Sequence, residues 1–138
     1  MEESSNSVEG TATGRSVRKL TTHQKAVLIQ VLLTFPDEPV GVCYLPAASD
    51  ALNYAEDFLT IFKAIGWTVN QTEAVENLPA VASGLAIVVR ENQLPPSAEA
   101  LRDALRIYGI EAEIVRDQAH LCASRRFVLA VTRGVTVV

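Results

Sequence analysis

The chain of 138 residues contains only two histidines and two cysteines, and their spacing limits the chemistry that they can do. His120 and Cys122 would give two ligands in one loop, whereas a closed zinc site takes four. Cys43 lies in a short apolar run, where a thiol packs more often than it reacts. We therefore expect two buried, reduced thiols and no metal site. A Cys43–His120 pair is the one nucleophile that an enzyme hypothesis can use.

The carboxylates do not form a pattern typical of general acid–base catalysis. Glu56 and Asp57 are neighbours in sequence, so on a helix their side chains diverge by about 100°. Glu111 and Glu113 share one face of a predicted strand, which we interpret as the exposed face. The sequence also lacks a glycine-rich phosphate loop and a G-x-S-x-G serine. We expect no catalytic residue and no cofactor.

A ligand site is predicted from topology rather than from reactive groups. Open α/β sheets bind ligands beyond the carboxyl ends of their strands, where helix N-termini present backbone donors. Two predicted strands, at residues 40–45 and 85–89, are each followed by polar residues and then by a helix. The predicted rim consists of Ser49, Asp50, Arg90, Glu91, Asn92 and Gln93. Ordinary helix capping and solvated loops are the alternative explanation of these residues.

The elements that would position this rim are predicted from apolar periodicity. One helical face is formed by Ala55, Phe58, Phe62 and Ile65. Gly66 ends that helix, because glycine enters the left-handed conformation without steric cost. The same order of strand, helix, glycine and strand recurs around Gly109, with Ser97 as a candidate N-cap. Two right-handed βαβ units follow. We predict a single α/β domain, as a two-layer or three-layer sandwich around an approximately five-stranded mixed sheet, with the final strand antiparallel.

An additional N-terminal helix is predicted to precede these units. Thr21 and Gln24 fit a capping box, and eight of the ten residues from 26 to 35 are apolar. Periodicity alone also allows a strand there, but the cap and the length favour a helix. Its wide apolar face predicts burial on two sides or a subunit interface. The predicted interface residues are Val27, Leu28, Val31 and Leu32.

Composition sets the remaining expectations. The net charge is −4 and the densest basic cluster is Arg125-Arg126, which is typical of a strand flank, so we expect no nucleic-acid partner. No apolar run reaches the ~18 residues that span a membrane. Residues 1–19 contain four apolar side chains and no signal-peptide pattern, which predicts a disordered tail or linker before a domain at 20–138. A cytoplasmic or cytoplasm-facing location is expected.

Several structural motifs also occur in a known family. They are Leu20-Thr21, Gln24, Leu32, Pro36, Asp50, Ala55, the turn Ala64-Ile65-Gly66-Trp67, and Gly84-Leu85. Over about residues 20–132 the chain resembles a family of small bacterial α/β domains whose function is unassigned. Members are often the soluble part of membrane-anchored proteins, whereas residues 1–19 contain no anchor. The resemblance implies the fold and carries no activity to this chain.

The expected function is therefore a non-catalytic protein-interaction or sensing module. Its partner is another protein or a second copy of the chain. The alternative is a small-ligand-binding domain that uses the rim of the sheet. An enzyme with an unrecognised site is the third hypothesis.

Overall fold

The computed structural model describes residues 18–78, 81–90, 94–117 and 121–133. The predicted tail and the C-terminal residues 134–138 lie largely outside these ranges. Within them, helices and strands alternate in the order α1 (Thr22–Leu33), β1 (Pro39–Tyr44), α2 (Ala51–Ala64), β2 (Thr68–Val69), β3 (Glu73–Ala74), β4 (Leu85–Val89), α3 (Pro96–Ile107), β5 (Glu113–Arg116) and β6 (Phe127–Val131). The predicted α/β class is confirmed.

The sheet joins two βαβ units through its last strand. Its order is β2-β1-β6-β4-β5. β2 pairs with the first residues of β1, and β3 pairs with the last residues of the same strand. β1 is parallel to β2 and β6, while β4 is parallel to β5. β6 is antiparallel to β4, with Ile87 opposite Leu129. The final strand is thus antiparallel to one unit, as predicted, and parallel to the other. The two-residue β3 was not predicted, because its segment reads as polar loop.

The three helices cover one face of the sheet, which makes the domain a two-layer sandwich. Helix residues pack there against the strand side chains of one parity, such as Val42, Ile87 and Leu129. On the opposite face, a smaller cluster is formed by strand residues and by segments around Val81 and Cys122. Among the helices of the described residues, none combines the length and the apolar composition that crossing a membrane requires.

An aromatic cluster packs the C-terminal end of α2 against the last strand. Phe62 and Trp67 stack with ring centroids 5.6 Å apart, and both meet Phe127 edge-on at 6.2 and 6.4 Å. All three side chains are buried. Such offset and edge contacts add to the area that the rings bury. Large apolar residues are buried in and around this cluster: Phe58, Phe62, Trp67, Leu85, Ile87, Val89, Leu101 and Leu105.

The capping box predicted for α1 is present, and the segment forms a helix rather than a strand. The backbone N–H of Gln24 donates to Thr21 Oγ1 at 3.0 Å, and the N–H of Thr21 donates to Gln24 Oε1 at 2.9 Å. Two orphan donors of the first turn are thereby satisfied. α1 then packs between α2 and α3, and Leu28 and Leu32 are its fully buried residues.

Gly41 makes space for an arginine that lies across the second face of the sheet. Arg125 donates from Nη2 to Glu73 Oε2 at 3.1 Å. A Cβ atom at position 41 would lie 2.7 Å from Arg125 Nη1 and 2.9 Å from its Cδ. Since real Cβ atoms do not approach that closely, a side chain at Gly41 must displace Arg125.

We expect Gly41→Ala to lower the free energy of unfolding by up to about 1 kcal/mol, because the flexible Arg125 side chain must move away and lose its contact with Glu73. In an Arg125→Ala background the same substitution should instead be neutral or stabilising by up to ~1 kcal/mol, because glycine inside a strand is less favourable than alanine. Urea unfolding of the four proteins in this double-mutant cycle measures both effects. Equal destabilisation in the two backgrounds would contradict the packing explanation.

Candidate functional site

The predicted rim residues are divided between two ends of the sheet. β6 pairs parallel with β1 and antiparallel with β4, so β1 and β4 run in opposite directions. Ser49 and Asp50, which follow β1, therefore lie at the opposite end from Arg90, which follows β4. A single rim would require β1 and β4 to be parallel. Because they are antiparallel, the structure does not bring Ser49 and Asp50 together with Arg90. Glu91, Asn92 and Gln93 lie outside the described residues.

At the first end, Asp50 is held by Arg18. The guanidinium donates from Nε to Oδ2 at 3.0 Å and from Nη2 to Oδ1 at 2.9 Å, and the backbone N–H of Arg18 donates to Oδ2 at 3.0 Å. Arg18 Nη1 also reaches the carbonyl of Gly84 at 3.0 Å, and its Cζ lies 5.3 Å from the ring centroid of Tyr54. Asp50 occupies the N-cap position of α2 but makes no side-chain cap hydrogen bond. Ser49 is exposed.

This ion pair gives Asp50 a structural role. Hydrogen bonds from Arg18 lower the pKa of Asp50 below its ordinary value of 3.8, against an opposing effect of partial burial. A second acid of α2 anchors the same segment, because Asp57 accepts the backbone N–H of Leu20 at 2.9 Å and lies 3.3 Å from Lys25 Nζ. Both carboxylates thus tie residues 18–25 to α2.

At the other end, a cavity of about 160 Å³ lies where β4 ends and α3 begins. Its lining residues are Arg90, Leu94, Pro95, Pro96 and Arg126. Val89 is directly opposite Phe127 in the antiparallel pair, which places the next residue of β4 beside the residue before β6. The strand register therefore brings Arg90 and Arg126 to one opening, although 35 residues separate them in the sequence.

A buried carboxylate supports the position of Arg126. Ser97 Oγ donates to Glu38 Oε1 at 2.6 Å, and both residues are buried. Arg126 Nε lies 3.9 Å from the same oxygen, and its backbone N–H donates to the carbonyl of Pro39 at 2.6 Å. The Arg126 side chain is nevertheless 52% exposed. It is anchored at its base and open to solvent on the cavity side.

Arg90 also lines the cavity and is loosely held. It is exposed, and its Nη1 lies 3.4 Å from the carbonyl oxygen of Ala123. Ala123 has a left-handed φ of 50°, which is uncommon for a residue with a Cβ. A guanidinium has five N–H donors. The described contact uses one donor of Arg90, so the side chain can bind a further acceptor.

The N-terminus of α3 offers fewer backbone donors than such an end usually has. Pro95 is at the N-cap and Pro96 is the first helical residue, and neither has an N–H group. Ser97, which we expected as a cap, lies inside the helix and donates to Glu38. The first-turn donors of this helix are thus reduced on the side that faces the cavity.

The two thiols are buried, as predicted. Burial is the main cause that raises the pKa of Cys43 to about 12 and that of Cys122 to about 12. Cys122 Sγ also lies 3.3 Å from the carbonyl oxygen of Val88. His120 lies outside the described residues. Across the ranges that the structure describes, no group of three or more His, Cys, Asp or Glu residues is placed to hold a metal ion.

The four predicted interface residues of α1 differ in exposure. Leu28 and Leu32 are fully buried in the core of this chain, so neither side chain is accessible to a partner. Val27 and Val31 are half-buried. Leu33, which was not among the predicted residues, is 60% exposed. The accessible part of α1 is therefore the side that carries Leu33.

Sequence reasoning found Arg90 but missed Glu38 and Arg126. Glu38 lies in the turn PDEP and Arg126 in a predicted strand flank, where charged residues are ordinary. The missing information was the strand order, because β6 alone places Arg126 beside the end of β4.

Comparison with known proteins adds no relative: no family model, no curated protein and no solved structure matches the chain. The resemblance to the family of small bacterial domains, the cytoplasmic or cytoplasm-facing location and the absence of a nucleic-acid partner stay predictions.

A pH-dependent contribution to stability follows from the ion pair between Arg18 and Asp50. Because folding lowers the pKa of Asp50, its contribution is present above the unfolded pKa of about 4 and is lost as the pH falls through the lower folded pKa. We expect Asp50→Asn to cost about 1–2 kcal/mol at neutral pH, and the difference from the original chain to shrink below about pH 4.

Urea unfolding of both proteins between neutral pH and about pH 3 measures this difference. Asp103→Asn is the matched control, because Asp103 is exposed and its ion pairs lie within α3 or beside it. We expect that control to stay within about 0.5 kcal/mol. A difference for Asp50→Asn that does not depend on pH would contradict the ion-pair explanation.

Proposed function

We propose that this protein is a non-catalytic binding or sensing domain that recognises a small anionic ligand between Arg90 and Arg126. The observation that carries this proposal is that two arginines line one cavity at the carboxyl end of β4. Arginine is the side chain best suited to bind carboxylate or phosphate, since its fork of donors matches two oxygens at once. This is the small-ligand hypothesis, but the proposed site is the cavity at the end of β4 and no longer includes Ser49 and Asp50.

The size and the charge of the site support a small ligand rather than a macromolecule. A volume of about 160 Å³ corresponds to roughly five water molecules at ~30 Å³ each. The chain as a whole has a net charge of −4, so a long polyanion would be repelled outside the cavity. Attraction between the protein and an anion is therefore local to the arginine pair.

A non-catalytic role is supported by the state of the nucleophile candidates. A thiol with a pKa near 12 is almost entirely protonated at neutral pH, and the thiolate is the reactive form. Ser97 is fully buried and donates its hydroxyl proton to Glu38. Neither group is positioned to attack a ligand in the cavity.

Binding can be tested by amide NMR with the full chain at constant ionic strength, using acetate, sulfate and inorganic phosphate as probes. We expect shifts at Arg90, Leu94 and Arg126, and no shifts at Ser49 and Asp50. Arg90→Gln and Arg126→Gln should each weaken binding about tenfold, as the loss of a charge-assisted hydrogen bond does. Arg90→Gln removes little from the fold, so it keeps the test informative if Arg126→Gln is unstable.

Arg106→Gln is the control for this experiment. It makes the same change in charge at the far end of α3, where Arg106 is 57% exposed and lies 4.0 Å from Asp103. Binding should be unchanged in that variant. If none of the probe anions shifts Arg90 and Arg126, or if Arg106→Gln weakens binding equally, the cavity is not an anion site.

Self-association through α1 is a second candidate function. Ala26, Gln30 and Leu33 are exposed at intervals of four and three residues, so they share one face of the helix. That face has no charged side chain, and Leu33 at its end is 60% exposed. An uncharged helix face with an exposed leucine is the kind of surface that a second copy of the chain can cover.

Sedimentation from micromolar to millimolar protein tests this candidate. If the chain dimerises through α1, Leu33→Lys should weaken the dimer at least about tenfold, because a charge would enter the interface. Ile107→Lys is the control, since Ile107 is 81% exposed on a different helix. A monomer at every concentration, or equal effects of both variants, would reject self-association through this face.

A further inference from the structure

We propose that the ligand of the Arg90–Arg126 cavity is a small organic acid, with one carboxylate on a compact apolar group, rather than phosphate or sulfate. The inference rests on the proposed function and names the ligand class for that site. Three features of the cavity lead to it: the donors that it has, the acid behind it and the apolar part of its wall.

The donors favour a planar anion. Phosphate sites at helix N-termini depend on several backbone N–H groups that surround a tetrahedral anion. Here Pro95 and Pro96 have no N–H, and the Ser97 hydroxyl donates to Glu38. Among the described lining residues, the side-chain donors are those of Arg90 and Arg126, and a guanidinium fork matches the two oxygens of a carboxylate.

The acid behind Arg126 favours a single negative charge. Glu38 lies 3.9 Å from Arg126 Nε and is buried, so part of the positive charge at the site is already offset. A second negative charge on the ligand would be repelled by Glu38 at short range. Sulfate carries that second charge, and so does a large part of inorganic phosphate at neutral pH, whereas a monocarboxylate does not.

The rest of the wall favours an apolar body on the ligand. Three of the five lining residues that the structure describes are apolar: Leu94, Pro95 and Pro96. Such a wall binds hydrocarbon and disfavours a hydrated anion that must give up its water. Carboxylate oxygens at the arginines and a short branched alkyl group at the prolines would fill a volume of about 160 Å³.

The test compares isovalerate, acetate and inorganic phosphate by amide NMR of the full chain at neutral pH and constant ionic strength. We expect isovalerate to bind about tenfold or more tightly than phosphate, and more tightly than acetate by about fourfold in all, because the apolar part of the wall is small. Isovaleramide, which has the same shape without the charge, should not shift Arg90 or Arg126.

Two variants separate the contributions of the wall. Leu94→Ala should weaken isovalerate binding several-fold and leave acetate binding unchanged. Pro96→Ala restores an N–H at the first position of α3, so it should improve phosphate binding relative to isovalerate binding. Arg106→Gln again serves as the control and should change neither ligand.

The outcomes distinguish failure of the small-acid inference from failure of the anion site. Phosphate binding at Arg90 and Arg126 that equals or exceeds isovalerate binding would overturn the small-acid inference and leave the anion site intact. Absence of shifts at those arginines with every probe would overturn the anion site itself. Isovaleramide binding as well as isovalerate would show an apolar site in which the arginines have no part, which also overturns the inference.

Discussion

The fold depends on the pairing of β6 with a strand from each βαβ unit. β6 forms a parallel ladder with β1 and an antiparallel ladder with β4, so it alone connects the two units within the sheet. Its five residues are all buried, and its first residue, Phe127, contacts Phe62 of α2 and Trp67, which follows that helix. The direction of β6 relative to β4 also decides which loops meet at each end. The arginine cavity is a direct consequence of this antiparallel register.

The charged residues of the domain are used in two different ways at the two ends of the sheet. Asp50 and Arg18 form a closed pair whose donors and acceptors satisfy each other, and this pair ties the entry of the chain to α2. Arg126 is held by its backbone N–H and lies 3.9 Å from Glu38, yet its side chain stays half-exposed, while Arg90 has one long contact. Saturated pairs stabilise a fold, whereas partly used donors beside a cavity are available to a ligand.

One glycine and two prolines affect which groups are accessible at the surface of this domain. Gly41 opens a path for Arg125 across the sheet, so a residue of the β6 approach reaches Glu73 on the edge strand. Pro95 and Pro96 start α3 with a fixed φ but remove the backbone donors beside the cavity. In both cases, local backbone chemistry changes which side chains can meet at a surface.

The sequence alone determined the local structure: the capping box at Thr21 and Gln24, the amphipathic face of α2 and the glycine turn at Gly66 all depend on neighbours within a few residues. It also predicted the buried thiols, because both cysteines lie in apolar surroundings. Tertiary structure decided the position of β6, the separation of Asp50 from Arg90, and the meeting of Arg90 with Arg126. Those contacts join residues that are far apart in the chain, and an apolar run such as FVLAV pairs equally well in several strand orders. Strand order is set by the packing of the whole core, so the candidate site became visible only in the folded domain.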